Sequence, residues 1–380
     1  MRTSRRHLSP YRAAWDFFNT LLLVIFRLSI MFEQSPPENI CVVRLSAIGD
    51  TCHALAVIRS IQDTWPETRI SWIIGKTEAS LMSDIPAIEF IIFDKAKGRQ
   101  AYSSVRQQLA GRKFDVALCM HASLRANLLY PMISTRQRLG FDLRRAVDYQ
   151  WLFTNRRIAA GNNEHAMEAM LGFATHIGVP RRELRWDIPL AAAHVDYARQ
   201  FQSGDQPILL ISPCSSPRSR NFRNWSAENY AAAANHARSR FNCRVILTGG
   251  NSELEQEYGQ TIARLCDKSL VNLIGQTSLK QLYALISVSG AVLCPDSGPA
   301  HMATAAGTPV IGLYATSNPD RTGPYLSRDL CVNAYPDAVQ TYLGKSVDEL
   351  RWGQRVRDPR AMSLIRLAKV TERLDQVFSK

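Results

Sequence analysis

No C-x-x-C pair, no G-x-G and no phosphate-binding G-x-x-x-x-G-K-[ST] occurs in this chain of 380 residues. The first absence removes paired-cysteine zinc and redox motifs, the second the dinucleotide fingerprint, and the third the NTPase phosphate loop. The 8 cysteines stand singly, most of them in or beside apolar runs, which is the usage of a reducing compartment without a disulfide framework. No D-x-D occurs either. The usual metal-bound diphosphate arrangement is therefore unsupported, and neither a metal nor another cofactor is expected. Acidic residues are in short supply, 33 against 46 Lys and Arg, for a net charge of +13. Such a balance calls for an anionic partner: nucleic acid, anionic lipid or a phosphorylated substrate. No RNA- or DNA-binding motif accompanies the charge, so no nucleic acid is expected.

Long hydrophobic runs are missing as well. Near the N-terminus, Leu21 to Phe26 is the uninterrupted apolar run, far short of the roughly 20 residues that span a bilayer. Three readings of residues 1–36 stay open: an interfacial amphipathic anchor, a weak signal anchor, or translated upstream sequence with the start at Met31 rather than Met1.

What is present is a repeated alternation. Ile40–Leu45, Ile70–Ile74, Phe90–Phe93 and Val116–Met120 are short apolar runs separated by helical stretches. A second series comes at Ile208–Ser212, Arg244–Leu247, Leu270–Leu273, Ala291–Cys294 and Val310–Leu313. This pattern predicts an α/β protein with parallel sheets covered by helices on both faces. A polar stop at Ser203–Pro207 marks the linker, giving an extension (1–36), two doubly wound domains (37–200 and 206–355) and a C-terminal amphipathic helix (360–380).

Two turns carry the chemistry. In the first, Ala291–Cys294 leads through Pro295-Asp296-Ser297-Gly298-Pro299 into an Ala-rich helix ended by Gly307 and Pro309. A helix N-terminus of small residues offers backbone N–H groups and a positive dipole end to a phosphate. Asp296 and Ser297 are equally good helix caps, and that reading stays open. In the second, Ile40–Leu45 runs through Ser46-Ala47-Ile48-Gly49-Asp50 into a helix bearing Leu55, Ile58 and Ile61 on one face.

The segments RLSAIGDTCHALAVIRSI and DSGPAHMATAAGTPVIGLY…TGPY resemble the two signature regions of glycosyltransferase family 9, which contains the lipopolysaccharide heptosyltransferases. ISPCSSPRSRNFRNWSAENYAAAANHA is similar to the strand–loop–helix that opens that family's C-terminal domain. The resemblance runs from about Ile40 to the C-terminus and is strongest to the heptosyltransferase I branch. It implies a GT-B fold of two Rossmann-like domains, the acceptor on the first and the nucleotide sugar on the second. The implied reaction is inverting transfer of heptose from ADP-heptose to the Kdo region of the lipopolysaccharide inner core. Other donors or acceptors within the family, and a non-catalytic GT-B protein, are the alternatives.

By the same resemblance Asp50 is the general base, and the structural alternative is that it caps the following helix. Ser215 and Ser216 contact the diphosphate. Arg223 pairs with it where the family commonly has Lys, with Arg220 a competing assignment. Glu253 is the best match for the carboxylate that holds the nucleotide ribose. Asp296, Ser297, Gly298, Pro299, Ala300 and His301 complete the donor site. The basic residues Arg59, Arg125, Arg144 and Arg145 suit an anionic acceptor such as Kdo-lipid A. The same charge suits a peripheral location on the cytoplasmic face of the inner membrane. Phe141, Tyr149, Trp151 and Phe153 are expected in the core or in an acceptor platform. The terminal helix is expected to cross back onto the N-terminal domain.

Overall fold

The computed structural model describes residues 35–181, 183–215, 222–266 and 270–379. Residues 1–38 and 39–380 separate as two units, and the second holds both sheets. Its first sheet is built from β1 (Asn39–Val43), β2 (Arg69–Gly75), β3 (Ile88–Phe93), β4 (Phe114–Leu118), β5 (Thr135–Gly140) and β6 (Arg156–Arg157). The second sheet uses β7 (Ile208–Ile211), β8 (Arg244–Leu247), β9 (Val271–Asn272), β10 (Ala291–Pro295), β11 (Val310–Tyr314) and β12 (Val332–Asn333). Strand order is β3-β2-β1-β4-β5-β6 in one and β12-β11-β10-β7-β8-β9 in the other. Every pairing is parallel. Counted from its own first strand, each sheet has the same doubly wound order, with a switch point between β1 and β4 and another between β7 and β10.

The apolar runs became the central strands because strands buried on both faces need side chains that carry no polar group. Two strands of the first sheet went unseen. Thr135–Gly140 and Arg156–Arg157 hold four arginines, and their half-exposed positions leave no hydrophobic signature. Residues 121–160, where the apolar pattern marks no strand, therefore add β5 and β6 to the first sheet.

Seven helices position the site: α1 (Ile48–Thr64), α2 (Ala166–His176), α3 (Ala192–Arg199), α4 (Ala227–Phe241), α5 (Leu279–Ser287), α6 (Gly298–Ala306) and α7 (Leu367–Phe378). Ser226 and Ser278 cap α4 and α5 by accepting backbone N–H groups with their hydroxyls. Helix α1 is buried almost all round, since β1 and its neighbours cover one side and α2 and α6 the other. One apolar cluster therefore runs through both halves, joining Ile40 and Leu55 to Ala300 and Ala303.

Helix α7 packs differently from expectation. Val370 and Leu374 belong to the core beneath the second sheet, and α7 lies against α4. The Trp225 indole donates to the Ile365 carbonyl (3.1 Å), and His236 meets Asp375 (2.7 Å). Its apolar stripe is thus satisfied locally. The return to the N-terminal half is made instead by residues 323–352. The Gly323 carbonyl bonds His165, Tyr325 donates to Glu168, and the Trp352 indole donates to the Glu164 carbonyl (2.9 Å).

Candidate active site

Both switch points open on one cleft of about 990 Å³. Such crevices, beyond the carboxyl ends of parallel strands, are where open α/β sheets bind ligands. From the first half come Arg44, Asp50, His53 and His121, and from the second Ser215, Arg223, Gly298 and His301.

Asp50 stands in the first turn of α1, half-buried in the cleft wall. The Arg44 guanidinium, just past β1, forms an ion pair with it. Burial alone would push the carboxyl pKa up. Arg44, then His53, His301 and the Ala47 N–H outweigh burial and hold it at about 2. The Ala47 N–H lies 3.4 Å from Oδ2, so the capping role expected as the alternative is only a weak contact. An ionised carboxylate facing the cleft is what proton removal from a hydroxyl requires.

Around Asp50 lies a buried group of imidazoles. The His53 and His301 rings are 4.8 Å apart, edge to face, and His53 to His165 is 5.9 Å. Burial first, then the neighbouring His301, keeps His53 neutral, with its pKa well below the ordinary value. Neither nitrogen of His53 nor Nδ1 of His301 has a hydrogen-bond partner. Unsatisfied polar atoms at a cleft floor are costly unless a ligand completes them. His121 follows β4 and accepts the Leu45 N–H through Nδ1 (3.1 Å). Burial, then Arg44, lowers its pKa to about 3.

On the opposite wall Arg223 is held by Asp296. Its Nη1 donates to the Asp296 carboxylate (3.0 Å) and backbone carbonyl (2.7 Å), and Ser317 donates to the same carboxylate (2.9 Å). Asp296 is buried, so its charge serves the guanidinium rather than a second anion. The Ser215 amide and hydroxyl both donate to Asn224 Oδ1, at 2.9 and 3.1 Å. Ser216 and Arg220 lie outside the described residues.

The terminus of α6 offers fewer donors than its run of small residues suggests. Ser297 turns its hydroxyl back to the Pro295 carbonyl (3.1 Å) and caps nothing. Pro299 has no N–H, and that of Ala300 goes to the Ser297 carbonyl (3.3 Å). Ser297, Gly298 and His301 line the cleft, whereas Pro299 and Ala300 do not. A side chain at Gly49 would overlap the His301 ring, so this glycine is what lets α1 and α6 approach.

Three other expectations are corrected. Arg59 is buried against residues 186–187, donating to the carbonyls of Trp186 (3.1 Å) and Asp187 (2.9 Å), and does not face the cleft. Arg125 is exposed on a short helix and is likewise absent from the cleft wall. Glu253 is an exposed residue in the first turn of its helix, away from the cleft, while Glu255 turns back to the Gly250 N–H (2.7 Å). Arg144 and Arg145 do reach the cleft, Arg145 already paired with Asp142 and Glu164. Of the four aromatics, Phe141 is buried and Phe153 half-buried, but Tyr149 and Trp151 stand exposed.

Sequence reasoning missed Arg44, His121, Arg321 and Trp352, all in the cleft wall. Arg44 had a signal: a lone charge inside the run ICVVRL. Trp352 had none, because only the return of residues 323–352 brings it there, and Arg321 stands directly before the TGPY segment without having been singled out. Among the described residues no cluster of three or more His, Cys, Asp or Glu is placed to hold a metal ion. None of the described helices is long and apolar enough to cross a membrane.

Comparison with known proteins gives consistent results. Residues 102–345 match the family described as glycosyltransferase family 9 (heptosyltransferase). The lipopolysaccharide core heptosyltransferase OpsX of Haemophilus influenzae is 41% identical over 340 residues, covering 90% of this chain and 96% of that one. A family 9 glycosyl transferase from Veillonella parvula superposes with a TM-score of 0.73 at 19% identity, covering 90% of this chain and 97% of that one. The Escherichia coli heptosyltransferase WaaC with ADP gives 0.70 at 17% identity, over 89% of this chain and 99% of that one. These likenesses identify the two-sheet architecture as the GT-B fold.

Proposed function

The chain belongs to glycosyltransferase family 9, and we propose that it transfers a heptose from ADP-heptose to the Kdo region of the lipopolysaccharide inner core, with Asp50 as general base. The observation that carries this reading is the ionised Asp50 carboxylate sharing one cleft with Arg223 and the α6 terminus. The similarity to a lipopolysaccharide core heptosyltransferase supports the acceptor class.

In this reading ADP-heptose lies with its diphosphate against Arg223 and α6. The acceptor hydroxyl enters from the first half, beside Asp50. Its oxygen attacks the anomeric carbon from the face opposite ADP, so the configuration inverts in one displacement. As that bond forms, the bond from the anomeric carbon to the phosphate oxygen breaks, and its electron pair leaves with ADP. The hydroxyl proton passes to Asp50. With a pKa of about 2 the carboxylate is a weak base. It takes the proton only late, when the attacking oxygen has become strongly acidic. Preorganised positive groups then stabilise the departing diphosphate. The imidazoles of His53 and His301, with ring nitrogens left unpaired, are placed to bond sugar hydroxyls. Arg144 and Arg145 meet the anionic acceptor, which the enzyme receives as a peripheral protein at the cytoplasmic face of the inner membrane.

The test is ADP release from ADP-heptose in the presence of Kdo-bearing lipid A, wild type against Asp50→Ala. Acceptor-dependent release in the wild type should fall about 10²–10⁴-fold in the variant, with ADP-heptose still bound. A wild-type protein that binds no ADP-heptose would sink the proposal.

A further inference from the structure

We propose that the surface formed by residues 124–152 docks on an anionic phospholipid bilayer, beside the mouth of the cleft. The proposal deepens the reading of the acceptor as lipid-linked and rests on it for its purpose, though not for its physical basis.

Of the eleven large apolar side chains exposed among the described residues, seven fall in this one stretch. Leu143 is 65% exposed, Tyr149 66%, Leu152 62% and Leu124 56%. Single exposed leucines are ordinary, but a contiguous group calls for a covering partner. Contiguity is built in. Asp148 accepts the Leu124 N–H (3.2 Å), and its carbonyl accepts from Asn127 (2.6 Å), which locks the short helix Leu124–Asn127 against the 147–152 turns. Gln150 anchors those turns from inside, donating to the Cys119 carbonyl (2.8 Å) and accepting the Phe141 N–H (3.1 Å). With Gln150 held in the core, Tyr149 and Trp151 on either side are directed outward. Tyr149 and Asp148 both adopt left-handed backbone, φ 60° and 52°, a conformation that costs energy in non-glycine residues and is kept here by the anchor.

Charge selects the partner. Residues 121–160 hold seven arginines and only two acids, Asp142 and Asp148. Asp142 is spent on Arg145 and Asp148 on the Leu124 N–H. Arg125, Arg136, Arg144, Arg156 and Arg157 are exposed in this part of the chain, Arg125 next to Leu124 and Arg144 next to Leu143. Leucines with Tyr and Trp, accompanied by arginine, are the composition of a surface that sinks into headgroups and attracts anionic lipid. Position agrees: Arg144 and Val147 belong both to this surface and to the cleft wall. A glycan carried by a lipid in the bilayer would therefore meet the cleft without leaving the membrane.

The experiment is sedimentation of the full chain with vesicles of phosphatidylglycerol and phosphatidylethanolamine, against phosphatidylcholine alone. The comparison variant carries Leu124→Gln, Leu128→Gln and Leu152→Gln. Wild type should bind the anionic vesicles, less as salt rises, and the variant at least about tenfold more weakly. The variant should keep the wild-type melting temperature and wild-type ADP release on a soluble Kdo oligosaccharide. Equal vesicle binding by variant and wild type overturns the proposal. So does a wild-type dimer that the variant makes monomeric with vesicle binding unchanged, which would assign the surface to a second copy of the chain. Vesicle binding needs neither donor nor turnover, so failure of the transferase reading would show separately, as absent release on the soluble acceptor.

Discussion

The Arg44 guanidinium is divided between the Asp50 carboxylate and the Met120 carbonyl, to which Nη1 donates at 2.6 Å. One cation thus ties the residue proposed as base to the ends of β1 and β4, the two strands that flank the first switch point. Arg44→Gln should raise the Asp50 pKa from about 2 toward the ordinary carboxylate value. Because the folded pKa is depressed, the pair stabilises the protein above the unfolded value of about 3.9 and ceases to do so as pH falls to about 2. In the variant the acid limb of the kcat/KM profile should move up by about one unit or more, and kcat at pH 7 should fall about tenfold as the carboxylate loses its fixed position. An acid limb that stays where it was would mean that Asp50 is not the titrating base.

Arg223 and Asp296 form a buried pair whose removal is asymmetric. Arg223→Ala leaves Asp296 charged and buried, with Ser317 still donating to it but no cation from position 223. A loss of about 3 kcal/mol in urea unfolding is expected, with ADP binding weakened tenfold or more. Arg223→Lys should recover stability better than ADP affinity, since lysine supplies charge without the planar fork. Titration calorimetry with ADP separates the two effects.

Gly49→Ala tests the contact between the halves. Its new methyl would overlap the His301 ring, so either the ring or the α1–α6 packing must shift. A destabilisation of about 1–3 kcal/mol is expected, together with reduced turnover. A variant with unchanged melting temperature and kcat would show that the two helices have slack here.

His165 gives the molecule an acid-sensitive joint. Its Nδ1 accepts the Met167 N–H (3.0 Å), so the proton is on Nε2, which donates to the Gly323 carbonyl (2.8 Å). Burial is the main cause that lowers its pKa to about 4. A histidine whose folded pKa lies below the unfolded value of about 6.5 gives its full stabilisation above that pH and loses it as pH falls to about 4. The loss is roughly 2–3 kcal/mol. Melting temperatures measured from about pH 7 down to about pH 4 should drop less steeply in His165→Gln. Parallel curves would assign the acid sensitivity to His53 and His121 instead.

Legibility in the sequence tracked locality. The central strands β1, β7, β8, β10 and β11 and the turn before α1 could be read because apolar runs and turn residues act over a few positions. Thr135–Gly140 could not, since a half-exposed strand carrying Arg136 and Arg138 lacks the pattern of a buried one. Asp50, Arg223 and His301 were placed by motif and do share the cleft. Arg59 was misplaced because nothing near it in sequence announces the carbonyls of Trp186 and Asp187, 127 and 128 positions away.

The order of amino acids was enough to settle the class of fold, its parallel sheets, the positions of the two chemical turns and the family. These depend on hydrogen bonding and side-chain periodicity within short segments, and on motifs that are contiguous in the chain. Which charges are spent and which are available was settled by packing. Packing gave Arg44 to Asp50, Asp296 to Arg223 and Arg59 to the core, and it turned Tyr149 and Leu152 outward beside the cleft. It also kept α7 on the second half and sent residues 323–352 back to the first. Each of those outcomes depends on groups far apart in sequence competing for the same partner or the same apolar surface, a contest resolved only when the two sheets come together.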